Sequence, residues 1–139
     1  MMYLKGKSVS DSNTSMLPHW QKNFVIGIDD CVCVAEKKGA FLTAKDVANA
    51  IEVNGARDWV NTRFDEGHKI CFLTTRSEKL RVSTELWLKK HGFKYHSLIM
   101  KKPRAQEYHY IDDRHVQATT FRGRFAQLVK KEHEIQVFS

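Results

Sequence analysis

Phe24–Val34 reads FVIGIDDCVCV, an apolar run that stops at two consecutive carboxylates and then resumes. Its first five residues, Phe24 to Ile28, carry no charge and are rich in β-branched side chains, the composition of a short strand buried on both faces. Asp29 and Asp30 therefore fall at the carboxyl end of that strand.

Working outward, the pattern of a buried strand ending in polar residues returns. Lys69–Leu73 (KICFL) is a second such strand and ends at Thr74, Thr75 and Arg76. Short strands are predicted at 97–100, just ahead of Lys102, and at 108–111, ending in Asp112 and Asp113. Between the first two strands, 33–43 (CVAEKKGAFLT) suits a small hairpin around Lys37, Lys38 and Gly39. Thr43 or Asp46 caps a helical stretch through Ile51, Ala56, Trp59, Val60 and Phe64, with a break at Gly55, and Gly67 is its C-cap. Ser77 caps a further helix carrying Leu80, Val82, Leu86 and Leu88 to a stop at Gly92. A last helix is expected near 124–131 and a terminal strand at 134–138. Trp59 and Trp87 lie on apolar helix faces and are expected in the core.

Strands alternating with helices indicate βαβ units. The expected fold is α/β: a three-layer Rossmann-like arrangement with a mostly parallel central sheet and no large cap domain. Residues 1–22, rich in Ser, Asn and Lys without sustained periodicity, read as a loose arm whose Leu17, Pro18 and Trp20 pin it to a domain spanning 23–139.

The chain has 139 residues, a single domain's length, and its net charge of +7 favours anionic partners. No apolar run approaches the roughly 20 residues that span a bilayer, and the first 22 residues lack a signal-like apolar region. Three cysteines without a secretory signal read as reduced thiols used as small apolar residues, so a cytoplasmic location is expected. The seven histidines form no metal-binding pattern, and only His115, beside the acidic pair, lies near candidate chemistry.

In open parallel sheets, ligands bind beyond the carboxyl ends of the strands. The sequence sends Asp29 and Asp30, Thr74, Lys102, and Asp112 with Asp113 to that edge. Carboxylates, a hydroxyl and an ammonium together are the groups that hold Mg²⁺ and a phosphoryl group: the hard ion takes the oxygens, and the donors take the remaining phosphate oxygens.

On FVIGIDDCVCV, ICFLTTR, LIMKKP and YIDDR, spanning Phe24 to Arg114, the chain resembles the haloacid dehalogenase (HAD) superfamily of phosphohydrolases, in its small capless form. The resemblance implies a Mg²⁺-dependent phosphohydrolase acting on a phosphomonoester: a nucleotide, a polynucleotide end or a sugar phosphate. It implies Asp29, Thr74 and Lys102 as catalytic residues, Thr74, Thr75 and Lys102 as phosphate ligands, and Asp29, Asp112 and Asp113 around the metal. The stretch 75–102 with IDDR is also similar to the phosphatase half of polynucleotide kinase-phosphatases.

One position departs from the family. Its first motif, D-x-D-G/D-T, laid without gaps, matches Gly27, Ile28, Asp29, Asp30 and Cys31, which leaves glycine where the nucleophilic aspartate belongs. In a shifted register Asp29 is the nucleophile and Cys31 falls where the acid/base carboxylate should be. Neither register supplies both carboxylates, so ordinary turnover should be severely impaired. The alternative is a catalytically degenerate domain that binds a phosphorylated ligand or nucleic acid. Residues 114–131 contain several basic residues and no acid, a candidate surface for nucleic acid.

Overall fold

The computed structural model describes residues 17–37, 39–121, 125 and 133–134. Strand β1 (Asn23–Ile26), strand β4 (Lys69–Leu73) and strand β5 (Ser97–Ile99) form a parallel sheet in the order β1–β4–β5. Phe24 lies opposite Ile70 and Phe72 opposite Leu98, so the three strands run in the same direction and end at one edge. In the middle strand Ile70, Cys71 and Phe72 are all buried, as expected of a parallel strand covered on both sides.

β1 departs from that expectation. Its burial alternates, and Val25 is 52% exposed, because among the described residues β1 is an edge of the sheet. The fourth strand expected at 108–111 does not pair: Tyr108 and Tyr110 are half exposed and Ile111 is 92% exposed. Local bonds compete there with a ladder. The Tyr108 hydroxyl donates to Pro103 O at 2.8 Å, and Asp112 Oδ1 accepts from the backbone N–H groups of Asp113 and Arg114, bending the chain just past Ile111.

Between β1 and β4, strand β2 (Cys33–Val34) pairs antiparallel with strand β3 (Ile51–Glu52), not within a local hairpin. The connection holds a 3-10 turn at Gly39–Phe41 and the short helix α1 (Ala44–Ala48). Thr43 caps α1: its Oγ1 accepts from Asp46 N–H at 3.2 Å, while Asp46 Oδ2 accepts from Thr43 N–H at 2.9 Å. The helical stretch expected to break at Gly55 is thus interrupted earlier, by β3. Helix α2 (Ala56–Asp65) begins after Gly55, whose φ of 84° is open to glycine without strain, and packs on β4. It ends before Gly67, as expected.

A 3-10 turn at Glu78–Leu80 leads into helix α3 (Arg81–Lys90), which packs against α1 and stops at Gly92. Ser77 precedes this turn without a side-chain capping bond. Strand β6 (Gln117–Ala118) pairs antiparallel with β7 (His133–Glu134). The helix expected at 124–131 lies outside the described residues apart from Phe125, and the strand expected at 134–138 lies outside them beyond Glu134.

The core gathers Ile28, Val32, Val47, Val60, Ile70, Phe72, Leu88 and Phe93 between the sheet and helices. Trp87 is buried and donates its indole N–H to Ala50 O at 3.0 Å, whereas Trp59 packs at the margin between Phe24 and Phe125. Of the residues expected to pin the arm, Trp20 does so, with its ring edge-on to His68, while Leu17 and Pro18 stay exposed. The first 16 residues of the arm lie outside the described residues. The result is a mixed, Rossmann-like α/β arrangement, and no helix among the described residues is long and apolar enough to cross a membrane.

Candidate functional site

Because the three strands are parallel, the segments leaving β1, β4 and β5 converge at one edge, and backbone bonds lash them together. Thr74 N–H donates to Ile99 O at 2.9 Å, Lys102 N–H to Thr74 O at 2.9 Å, and Lys101 N–H to Arg76 O at 2.8 Å. After β1 the chain winds tightly on a single carbonyl. Ile28 O accepts from the N–H groups of Cys31, Val32 and Cys33, and Asp30 N–H closes the turn onto Cys33 O at 2.8 Å. Asp30 takes a left-handed φ of 64° to do so, a conformation that side-chain-bearing residues rarely adopt.

This turn aims Asp29 at Arg76. The guanidinium donates from Nε to Asp29 Oδ2 at 3.1 Å and from Nη2 to Asp29 Oδ1 at 2.8 Å, a two-pronged, charge-assisted pair. A third donor, Nη1, reaches the hydroxyl of Thr84 on α3 at 2.8 Å, and Nη2 also lies 3.5 Å from Cys33 Sγ. The Arg76 side chain is 3% exposed and that of Asp29 30%. Thr74 is buried, and its Oγ1 accepts from Arg76 N–H at 3.2 Å. Thr75 beside it is half-buried.

Lys102 is half-buried and lies with its ammonium 3.7 Å from the centroid of the Tyr108 ring, a cation–π contact. It is close enough to Cys31 to favour that thiolate, yet burial and the charges of Asp30 and Asp29 outweigh it and push the Cys31 thiol up to about 11. Burial likewise pushes the Cys33 thiol up to about 11, against the opposing pull of Arg76. Both cysteines are free, neutral and apolar in behaviour, as the sequence suggested. A Cβ at Gly27 would lie 3.1 Å from Cys31 Sγ, so a side chain fits there only if that thiol gives a few tenths of an ångström.

The structure thus gathers Asp29, Thr74 and Lys102 at one edge. Asp112 and Asp113 join no metal-binding cluster among the described residues. Asp112 spends Oδ1 on two backbone N–H groups and Oδ2 on the Tyr110 hydroxyl at 2.8 Å, which together hold its carboxyl below the usual range. Asp113 is exposed beside it. Among the described residues no three or more His, Cys, Asp or Glu side chains converge to hold a metal ion. With each oxygen of Asp29 already bonded to a cationic guanidinium, no side-chain donor at Gly27 and no acidic cluster among the described residues, the side chains present do not fit the Mg²⁺ that the sequence implied. Surface depressions open elsewhere, one along α3 by Val82, Leu86 and Tyr95 and one by Val34 and Asn49, and neither includes Asp29, Thr74 or Lys102.

Arg76 and Thr84 were not anticipated as site residues. The signal for Arg76 was its place directly after Thr74 and Thr75 at a strand end; a threonine within an amphipathic helix gives none.

Solved structures share the fold. A chain of the Pnkp1/Rnl/Hen1 complex superposes with a TM-score of 0.52 at 16% identity, covering 66% of this chain and 32% of that one. A protein from Vibrio cholerae superposes with a TM-score of 0.50 at 18% identity, covering 67% of this chain and 80% of the other. The chain therefore spans about a third of the first neighbour's length (32%). At such identities the likeness concerns the fold alone. No protein-family model and no curated protein matches the chain.

Proposed function

We propose that this chain is a HAD-like domain that binds a phosphomonoester, as a nucleotide, a polynucleotide end or a sugar phosphate, without the hydrolytic turnover of an intact site. The observation that carries the proposal is the Asp29–Arg76 pair: the carboxylate that stands at the motif's acid/base position has each oxygen hydrogen-bonded to a buried guanidinium. A carboxylate so held is a poor nucleophile and a poor proton donor, because either task requires leaving a buried positive charge without its partner.

The gapless register is supported by Asp30. Its left-handed φ of 64° falls where the family pattern places glycine or aspartate, glycine being the residue for which that conformation is free of strain. In this register the nucleophile position is Gly27. Two groups support phosphate binding: Lys102 supplies a cation at the edge, and the Thr74 hydroxyl, accepting from Arg76 N–H, keeps its own proton to donate. The fold neighbour within a complex that contains a polynucleotide kinase-phosphatase supports a phosphoester ligand in the same direction as the sequence.

The test pairs turnover with binding. Phosphate release from a panel of phosphomonoesters with Mg²⁺ should stay at background for the wild type, while calorimetry detects inorganic phosphate or a nucleoside monophosphate binding that Lys102→Ala removes. Steady hydrolysis abolished by Asp29→Asn would overturn the proposal and restore Asp29 as the nucleophile.

A further inference from the structure

An unpaired carboxylate at the strand edge would repel the anion that Thr74 and Lys102 are proposed to hold, so a positive charge must offset it. A divalent ion is one way to supply it; this chain contains another. Arg76 is built into the edge at five points: Nε and Nη2 on Asp29, Nη1 on Thr84, its N–H on Thr74 Oγ1 and its carbonyl on Lys101 N–H. The contacts to Thr74 and Lys101 tie it to the segments that carry the phosphate donors. Thr84, 1% exposed, holds the guanidinium plane from the side opposite Asp29.

The geometry points to Arg76 as the resident cation of this site, a positioning residue that neutralises Asp29 and lets a phosphate bind without a divalent metal. The inference rests on the phosphate-binding reading above. Mg²⁺ sheds its water reluctantly and demands octahedral oxygen ligands. To replace Arg76 on the carboxylate oxygens of Asp29 it would have to displace a guanidinium that is 3% exposed and has no other carboxylate among its hydrogen-bond partners, which strands a buried charge. Restoring a carboxylate at Gly27 alone therefore does not recreate a metal site; Arg76 must be released as well.

The test uses the whole chain and two probes. Calorimetric binding of inorganic phosphate is measured in EDTA and in millimolar Mg²⁺, and Mn²⁺ is titrated while paramagnetic broadening of the amide signals of residues 27–33 is followed by NMR. A site that shared its metal with phosphate would show a coupling of about 5- to 150-fold in phosphate affinity. The expected result is no change, with no saturable broadening in the wild type or in Gly27→Asp, and saturable broadening gained by Gly27→Asp combined with Arg76→Gln.

Metal-dependent phosphate affinity, or saturable Mn²⁺ broadening at these residues in the wild type, overturns the inference even if the double variant fails to fold. Absence of phosphate binding in both buffers overturns the phosphate-binding reading instead, and the Mn²⁺ titration then decides separately whether Arg76 keeps a divalent ion out.

Discussion

Asp29→Asn separates a structural carboxylate from a catalytic one by stability alone. Asparagine keeps the shape and one acceptor oxygen but loses the negative charge, and it turns an N–H₂ group toward a guanidinium that can only donate. Arg76, 3% exposed, is then a buried cation that has lost its counter-charge and one of its two bonds to residue 29. Removing one member of a buried pair costs about 3–5 kcal/mol. The Asp29 side chain is 30% exposed, so water can soften the loss and the low end, about 3 kcal/mol, is the expected value. For a domain of this size that corresponds to a fall in Tm of about 9 °C, taking about 3 °C per kcal/mol. Circular dichroism melts of the wild type, Asp29→Asn, Arg76→Met and the double variant would measure it. The double variant should recover part of the loss, since neither charge is left unpaired, giving a coupling of about 2 kcal/mol. An unchanged or raised Tm for Asp29→Asn, the behaviour of a strained active-site acid, would refute the reasoning.

Four other outcomes are expected. With both thiols pushed up to about 11 from an ordinary 9.0, Cys31 and Cys33 should react with a thiol-specific disulfide reagent at least about tenfold more slowly at pH 8 than in the denatured chain, since the smaller thiolate fraction outweighs its higher nucleophilicity, as stopped-flow absorbance would show. The same raised values favour the folded state fully below pH 9, and that advantage is lost as pH rises through about 11, on the order of 2–3 kcal/mol per thiol, so urea midpoints should fall more steeply in that window than for Cys33→Ala. Tyr108→Ala removes the ring under the Lys102 ammonium, a contact worth about 0.5–1 kcal/mol at an exposed site, so phosphate affinity measured by calorimetry should fall by less than about fivefold, with Tm unmoved. Thr43→Ala breaks the capping box of α1 and should lower Tm by about 3 °C in a thermal melt, the equivalent of about 1 kcal/mol.

What the sequence made legible is what is short-range. The buried strand at 69–73, the cap at Thr43 and the stops at Gly67 and Gly92 each follow from a few adjacent residues, and the structure contains all of them. The strand expected at 108–111 failed for a reason of the same range that composition hid. Its tyrosines look like strand residues, but their hydroxyls bond within the loop, to Pro103 O and Asp112 Oδ2, and Asp112 turns the backbone immediately afterwards. The β2–β3 pair was illegible because its partners, Val34 and Ile51, lie too far apart for any local pattern to align them.

The site shows the same division more sharply. Strand ends located Asp29, Thr74 and Lys102 correctly at one edge, because in a parallel sheet the end of every strand is the same place. What a carboxylate does there depends on its partner, and the partner of Asp29 is 47 residues away in sequence. A strand-end arginine is equally suited to grip a ligand's phosphate or the protein's own acid, and residue type does not distinguish the two. The turn decides it: by winding the N–H groups of Cys31, Val32 and Cys33 onto Ile28 O, with Asp30 in a left-handed conformation, it directs Asp29 inward to Arg76. The same turn thus delivers Asp29 to an internal base, while Thr74 and Lys102 stay tied to that edge by backbone bonds.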